Sequence, residues 1–333
     1  MLKRLCLGLF ALLVLGGAAG AWAQGKPMEL RVAVAGGTTT SHFMEHLPEV
    51  TRHMGKSYTL TPLKFNSSAH QLQPLAAREL DIGFASFPDF TNALVRAKLD
   101  LVIIADMLQD KQPYWSNSYL VRADSPIKKV ADLRGKSIGV PGHGTSAELK
   151  LLALLEKHGL RRNDVTLVEV QNPNVEAMVR SGRIDTGFFL TPFWHRAMRQ
   201  GGMRHLFKLN DAQGDYQVLS QVARRDFLDK HGEVVTDYLE DYLRVTRWFD
   251  DPKNHAAAVG LAAKVLKLPP MAFEPWAFTR QDSYKDPNGL PDLQSVQADI
   301  DWAAARGYLP VRIEVAKQTD LSLVRKAAAR LKD

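Results

Sequence analysis

The chain has 333 residues, of which 24% are charged, and a formal net charge of +7. This mild excess, without a basic stripe interleaved with aromatic residues, argues against nucleic-acid binding. Cys6 is the single cysteine, so the remainder of the chain can form no disulfide, thiolate metal site or cysteine nucleophile.

Residues 1–23 have the layout of a secretory signal peptide, with two basic residues, an apolar run and an Ala-Trp-Ala sequence that ends at Ala23. We expect cleavage near Ala23-Gln24 and export to the periplasm. A membrane anchor is the alternative, but the apolar run is short for a span of about 20 residues. Cleavage leaves 310 residues with a net charge of +5, enough for two lobes.

From Glu29 to about Ala197, β-rich segments alternate with helical patterns. The predicted strands are ELRVAVAGG (29–37), YTLTPLKF (58–65), LDIGFAS (80–86), KSIGVPG (136–142), VTLVEV (165–170) and RIDTGFFL (183–190). The predicted helices include HFMEHLPEVTRHM (42–54), SAHQLQPLAAREL (68–80) and SAELKLLALLEKHG (146–159). This alternation predicts βαβ units and parallel sheets.

The two halves of this region resemble each other. VAGGTTT (34–40) aligns with VPGHGTS (140–146), and LDIGFASFP (80–88) aligns with IDTGFFLTP (184–192). Asp81 and Asp185, at the start of the shared D-x-G-F strands, are expected to be structural. The repeat predicts two similar lobes.

After Asp211 the chain becomes mainly helical, as in RRDFLDKHGEVVTDYLEDYLRVTRWF (224–249). The predicted fold class is α/β, with two similar lobes that each hold a mostly parallel β-sheet flanked by helices. A hinge joins the lobes, and the helical C-terminal part packs on lobe 1. The predicted boundaries are 24–116 and 219–333 for lobe 1 and 117–218 for lobe 2.

Ligands of open α/β sheets collect outside the carboxyl ends of the strands. Six turns rich in capping residues are predicted there: GGTTTS (36–41), NSSAH (66–70), SFPDF (86–90), GHGTS (142–146), QNPNV (171–175) and LTPFW (190–194). Free N–H groups at helix N-termini attract anions, so the turn at 142–146 is interpreted as an anion cradle. Ordinary βα turns with ordinary helix caps are the alternative.

Three segments carry a resemblance to a known family: DLRGKSIGVPGHGTSAELKLLALLEKHGL (132–160), NPNVEAMVRSGRID (172–185) and ARRDFLDKHGEVV (223–235). They resemble periplasmic substrate-binding proteins of ABC importers, in the branch for nitrate, sulfonates and taurine. The resemblance covers Leu30 to Val235. It implies two lobes that enclose a small anionic ligand, permease subunits as partners, and no cofactor or metal. We expect a monomer.

The resemblance also implies which turns face the ligand, and the corresponding residues are Gly37, Thr38, Thr39, Ser67, Ser68, Ser86, Phe87, Gly144, Thr145, Ser146 and Thr191. His143 and His195 lie in predicted cleft turns and could donate to an anion; alternatively, they are ordinary exposed turn histidines. Aromatic residues crowd the predicted cleft mouth: Phe87, Phe90, Tyr114, Trp115, Phe193, Trp194 and Tyr216. Of these, Phe87, Trp115, Trp194 and Tyr216 are the predicted ligand contacts. They suggest a sulfonate or carboxylate with an aromatic or bulky apolar body; alternatively, the rings fill the lobe cores.

Other functions have weaker support. His42 to His46 spells H-x-x-E-H, an inverted zinc-protease signature, but no third ligand is apparent. Relatives of this fold include desulfinases, which rely on a nucleophilic cysteine, and pyrimidine-forming enzymes. No cysteine follows Gln24, so the desulfinase mechanism is unavailable. A ligand-sensing module for a membrane receptor is a further alternative that the sequence does not separate from transport.

Overall fold

The computed structural model describes residues 26–331 except Gly36 and Asn66. The predicted signal peptide therefore lies outside the described residues. One five-stranded sheet contains β1 (Met28–Val34), β2 (Tyr58–Lys64), β3 (Ile82–Ala85), β4 (Leu101–Asp110) and β10 (Tyr216–Arg224). The other contains β5 (Asn117–Arg122), β6 (Ser137–Val140), β7 (Thr166–Glu169), β8 (Thr186–Leu190) and β9 (Met203–Phe207).

The two sheets have the same topology. Their strand orders are β2-β1-β3-β10-β4 and β7-β6-β8-β5-β9. In each sheet four strands point in one direction, and β10 or β5 runs against them. The chain passes from the first sheet to the second between β4 and β5, and it returns between β9 and β10. Each antiparallel strand therefore directly follows one of these two passages. The predicted two-lobed α/β fold with mostly parallel sheets is confirmed, whereas the lobe boundaries within the passages stay a prediction.

The internal repeat is visible in matching hydrogen bonds at the amino ends of the strands. Asp81, just before β3, accepts from the backbone N–H of Arg31 in β1 at 2.9 Å. Asp185, just before β8, accepts from the backbone N–H of Ser137 in β6 at 2.9 Å. Each carboxylate ties two neighbouring parallel strands, so the structural role predicted for both aspartates is confirmed.

The helices are α1 (Leu72–Ala76), α2 (Phe87–Val95), α3 (Ser146–Lys157), α4 (Asn172–Arg180), α5 (Phe193–Arg199), α6 (Asn210–Gln213), α7 (Arg225–Asp250), α8 (His255–Leu266), α9 (Leu293–Ala305) and α10 (Ser322–Arg330). Helices α7, α8 and α10 share one hydrophobic cluster with β1 and β4 of the first sheet. The predicted packing of the C-terminal part on lobe 1 is thus confirmed. Within residues 26–331, setting aside the two undescribed positions, no helix has the length and apolar character that a membrane crossing requires.

Two predicted helices are wrong. In place of a helix over 42–54, the chain makes two short 3-10 turns, Thr40–His42 and Met44–His46. Pro48 follows them, and a proline there cannot donate to an i−4 carbonyl and clashes with it. The helix predicted over 68–80 shrinks to a 3-10 turn and the five residues of α1. His42 and His46 therefore do not share a helical face.

A buried carboxylate ties the two passages between the sheets. Asp110, at the end of β4, accepts from the backbone N–H of Ser116 at 2.8 Å and from the Tyr216 hydroxyl at 3.1 Å. The Asn117 side-chain amide donates to it as well. Burial raises the pKa of Asp110 to about 6. The first passage, near residue 116, and the second, near residue 216, are thereby held side by side.

Helix α9 connects the lobes on the same side of the molecule. Its residues Val296 and Ile300 belong to a hydrophobic cluster that also contains Phe90 of α2 and Leu151 of α3. The ammonium group of Lys150 in α3 lies 2.6 Å from Asp299 in α9, and both side chains are 3% exposed. Burial lowers the pKa of Lys150 and raises that of Asp299 despite the partner charge, so desolvation outweighs the mutual attraction.

We predict that Lys150→Met lowers the free energy of unfolding by about 3–5 kcal/mol, because it leaves the Asp299 carboxylate buried without its cation. Urea unfolding followed by circular dichroism measures the change. The control is Lys317→Met, which breaks the exposed Lys317–Glu314 pair and should cost less than about 1 kcal/mol. Equal losses in the two variants would contradict the prediction.

Candidate functional site

The six predicted ligand turns follow β1, β2, β3, β6, β7 and β8, six of the eight strands that run in the common direction of their sheet. They therefore lie at the carboxyl edges, three on each lobe, as the sequence predicts. Gly36 and Asn66 are outside the described residues. Gly37 has φ +80°, a left-handed conformation that glycine adopts without strain. This turn and the one after β6 hold equivalent positions in the repeat.

The turns after β2 and β3 meet at the N-terminus of α2. Ser86 is the N-cap of α2, and its hydroxyl donates to Asp89 at 3.0 Å. The hydroxyl of Ser68 donates to the same carboxylate. Both serines are buried, while Asp89 is half-buried. The chain's own carboxylate thus occupies hydroxyl groups that the sequence analysis assigned to a ligand anion. Sequence reasoning missed Asp89, although S-x-x-D is a capping pattern.

In the turn after β6, a carboxylate of the chain also occupies polar groups of the predicted site. Glu148 accepts from the backbone N–H of Gly144 at 2.6 Å and lies 2.9 Å from Nδ1 of His143. Thr145 caps α3 by accepting from the Glu148 N–H at 3.3 Å. The N–H of Gly144 therefore already binds Glu148, and the anion-cradle interpretation of this turn stays a prediction. The T-x-x-E pattern could have revealed this.

In the turn after β6 and in the equivalent turn after β1, two N–H groups each find no acceptor among the described residues. In α3, the N–H groups of Ser146 and Ala147 donate to none of the described residues. The repeat-equivalent N–H groups of Thr40 and Ser41 likewise donate to none within the described part of the chain. Thr40 and Ser41 are buried, and buried backbone donors are nearly always paired. Each lobe therefore offers two adjacent backbone donors at the same point of the repeat.

The remaining predicted threonines are engaged by neighbours. The hydroxyl of Thr38 donates to Asp282 at 2.7 Å, and that of Thr39 donates to the Ala35 carbonyl at 3.1 Å. Asp282 comes from the C-terminal loops, and no sequence pattern pointed to it. The hydroxyl of Thr191 donates to the Ser116 carbonyl at 2.8 Å. For Ser67, which is half-buried, no side-chain hydrogen bond is found among the described residues.

The aromatic residues divide into two groups. Phe87, Phe90 and Tyr216 are buried in the cluster that spans both lobes, which favours a packing role. Trp115 and Trp194 stack on each other, with ring centroids 4.2 Å apart. Outside these two groups, the rings of Tyr114 and Tyr284 have centroids 5.3 Å apart. The guanidinium group of Arg196 lies over the ring of Phe193. The two tryptophans thus present much of their area to each other, and their assignment as ligand contacts stays a prediction.

The described residues hold one group of potential metal ligands, His53, Asp237 and Glu240. It lies in the loop before β2 and on α7, at the opposite edge from the cleft turns. Arg330 contacts Asp237 at 2.7 Å, and Arg244 contacts Glu240 at 2.5 Å. These arginines already neutralise the carboxylates that a cation would need.

The hydroxyl oxygen of Ser118 lies 2.8 Å from Nδ1 of His205, a serine–histidine pair of the kind that nucleophilic catalysis uses. Ser118 is 0% exposed, so its hydroxyl cannot reach a substrate. The geometry of the cleft turns suits ligand binding by backbone N–H groups better than nucleophilic catalysis.

We predict that Trp194→Ala lowers the free energy of unfolding by about 3–5 kcal/mol, because Trp194 is 4% exposed and packs on Trp115. Chemical denaturation measures this loss. Trp302→Ala, at a half-buried ring on α9, is the control and should cost less. A ring held mainly for ligand contact would instead leave stability nearly unchanged.

The NMT1/THI5-like family profile matches residues 62–254. Two relatives come from Escherichia coli K12. The taurine-binding periplasmic protein is 26% identical over 200 residues, covering 57% of this chain and 60% of that protein. The putative aliphatic sulfonates-binding protein is 26% identical over 212 residues, covering 62% of each. The chain thus spans less than two thirds of the length of either relative.

A solved structure shows the shared fold. The periplasmic aliphatic sulphonate-binding protein SsuA from Escherichia coli superposes with a TM-score of 0.73 and 21% identity, covering 88% of this chain and 92% of that one. Its two-lobed architecture agrees with the two sheets described above. Because the family profile matches more than half of the sequence, the chain belongs to the NMT1/THI5-like family.

Proposed function

We propose that this protein is an exported solute-binding protein that captures a small organic anion between its lobes and delivers it to an ABC permease. The ligand class is a sulfonate or carboxylate, with either an alkyl or an aromatic body. Family membership and relatives named for taurine and aliphatic sulfonates support solute binding. The signal-peptide pattern supports a periplasmic location.

The observation that carries this proposal is that each lobe has, at the same point of the repeat, two adjacent backbone N–H groups without an acceptor in the described part of the chain. Ser146 and Ala147 open α3, where the helix dipole adds positive potential. Thr40 and Ser41 form the equivalent turn in lobe 1. A sulfonate has three acceptor oxygens and could accept from both turns when the lobes are closed. Charge-assisted hydrogen bonds of this kind are among the strong ones.

Two carboxylates restrict how an anion can bind. Asp89 and Glu148 lie at the N-termini of α2 and α3, and each already accepts hydrogen bonds there. An anionic head would therefore bind at the N–H groups of Thr40 and Ser41 and of Ser146 and Ala147, and not at the donors that these carboxylates already occupy. This arrangement favours a compact head group over one that wraps both helix ends.

Catalysis has less support than binding. The only cysteine of the chain is Cys6, within the predicted signal peptide. Ser118 is buried against His205, and His143 pairs with Glu148 rather than with a hydroxyl. A ligand-sensing module for a membrane receptor is the alternative use of the same binding step.

We predict that one or more of taurine, alkanesulfonates, arylsulfonates and benzoates stabilises purified Gln24–Asp333. A ligand at 100 times its dissociation constant adds about 2.7 kcal/mol. For a chain of this size that is roughly a 5 °C rise in Tm. Differential scanning fluorimetry measures the shift. No stabilisation by any anion would overturn the anion assignment.

We further predict that Ser146→Pro weakens binding of the best ligand from that panel by about 10-fold or more, because the variant lacks one N–H donor. Proline is tolerated at the first helical position, and Thr145 before it is already extended, with ψ 158°. Ser146→Ala keeps the N–H and is the matched control. Calorimetry should show a large loss for the proline variant only; equal affinities would refute the backbone-donor site.

A further inference from the structure

We propose that His195 and the loop of residues 269–285 form a latch that joins the two lobes across the cleft and slows ligand release. This inference rests on the proposed function for its link to ligand release. The latch itself is a property of the ligand-free chain. The loop, called the strap below, lies beyond the residues 62–254 that match the family profile.

The strap is anchored in lobe 1. Phe273 and Trp276 are each 1% exposed and belong to the hydrophobic cluster of the first sheet. The Trp276 indole N–H donates to the Ala272 carbonyl at 2.7 Å. Asp282 accepts from the hydroxyl of Thr38, in the cleft turn after β1. The strap therefore moves with lobe 1 and with one side of the ligand site.

The far side of the strap contacts α5 of lobe 2. The ring of His195 stacks on Trp276, with centroids 5.2 Å apart and an interplanar angle of 19°. Nε2 of His195 lies 3.1 Å from the Gln281 carbonyl. Arg199, one turn further along α5, donates to the Met271 carbonyl at 3.0 Å. These contacts must break for the lobes to separate at this side of the cleft.

The stack continues into lobe 2. His195 lies 3.3 Å from Trp194, measured between ring centroids, and Trp194 stacks on Trp115. Lys208 covers the outer end, with its ammonium group 3.8 Å from the Trp115 centroid. A continuous column of rings thus runs from the first passage between the sheets to the strap. His195 connects this column of rings to the strap and so to lobe 1.

The surroundings of His195 disfavour its protonated form. Burial lowers the pKa of His195 to about 3, and the positive groups of His205 and Arg199 act in the same direction. The other charged groups around it are Arg196 on α5, Lys208 beside Trp115, and Arg280 and Asp282 on either side of Gln281 in the strap. The hydrogen bond to the Gln281 carbonyl acts in the opposite direction and raises the pKa of His195, but by less than burial lowers it.

The sign of the pH dependence follows from this depressed pKa. In the open form an exposed histidine has a pKa of about 6.5. Above pH 6.5, His195 is neutral in both forms and protonation does not disfavour the closed form. Below pH 6.5, His195 gains a proton in the open form but stays neutral in the closed form, so the equilibrium shifts towards the open form. Between pH 7.5 and pH 5.0 the ratio of closed to open molecules should therefore fall by about 30-fold.

The test uses the cysteine-free mature chain, labelled at His70→Cys and Asn174→Cys, two exposed positions in the turns after β2 and β7. Pulsed electron spin resonance then measures the separation of the lobes without any ligand. We expect a short distance at pH 7.5 and a larger open fraction at pH 5.0. His195→Ala should open the lobes at both pH values.

The matched control is His195→Phe, which keeps a stacking ring but cannot be protonated, and it should stay closed at both pH values. Unchanged distances in His195→Ala, or the same acid opening in His195→Phe, would overturn the latch. Taurine release, followed by stopped-flow tryptophan fluorescence, should be faster in His195→Ala than in wild type. If taurine does not bind, the ligand assignment is in question, while the distance measurement still decides the latch.

Discussion

The structure depends on one constraint: the chain must pass twice between two sheets, and the two passages must lie side by side. Asp110 meets this constraint with a buried carboxylate that accepts from residues on both passages. Because each passage leads into the antiparallel strand of its new sheet, the remaining strands of both sheets turn their carboxyl ends towards a common cleft. The position of the ligand turns follows from the placement of these two passages side by side.

The cleft turns combine donors with carboxylates of the chain itself. Asp89 and Glu148 stand at the third position of α2 and α3. Asp89 accepts from the hydroxyls of Ser68 and Ser86, and Glu148 accepts from the backbone N–H of Gly144. The N–H groups of Thr40 and Ser41 and of Ser146 and Ala147, which have no acceptor among the described residues, are what we propose for a ligand. At the N-terminus of α3, for example, the N–H groups of Gly144 and Glu148 are bonded within the chain, whereas those of Ser146 and Ala147 are the proposed ligand donors.

The C-terminal part links the lobes at two places, although its helices mainly cover lobe 1. Helix α9 binds α3 through the buried Lys150–Asp299 pair, next to the passages. The strap meets α5 through His195 on the cleft side. The first contact is deeply buried and suits a permanent connection near the hinge. The second has a half-buried histidine and backbone acceptors, which suits a contact that breaks and re-forms.

Much of this molecule could be predicted from its sequence, because strand alternation, the Gly-Thr turns and the D-x-G-F repeat are local patterns. They determined the six strands, the two-lobed topology and the edge of each sheet where the turns gather. Local pattern failed at 42–54, where Pro48 interrupts the helical periodicity, and at 68–80, where only a 3-10 turn and the five residues of α1 form. It also could not show that Trp115 stacks on Trp194, that Asp282 reaches Thr38, or that His195 meets Trp276. Those partners are far apart in the chain, and only the packing of the two lobes and the C-terminal loops against each other decides which side chains meet.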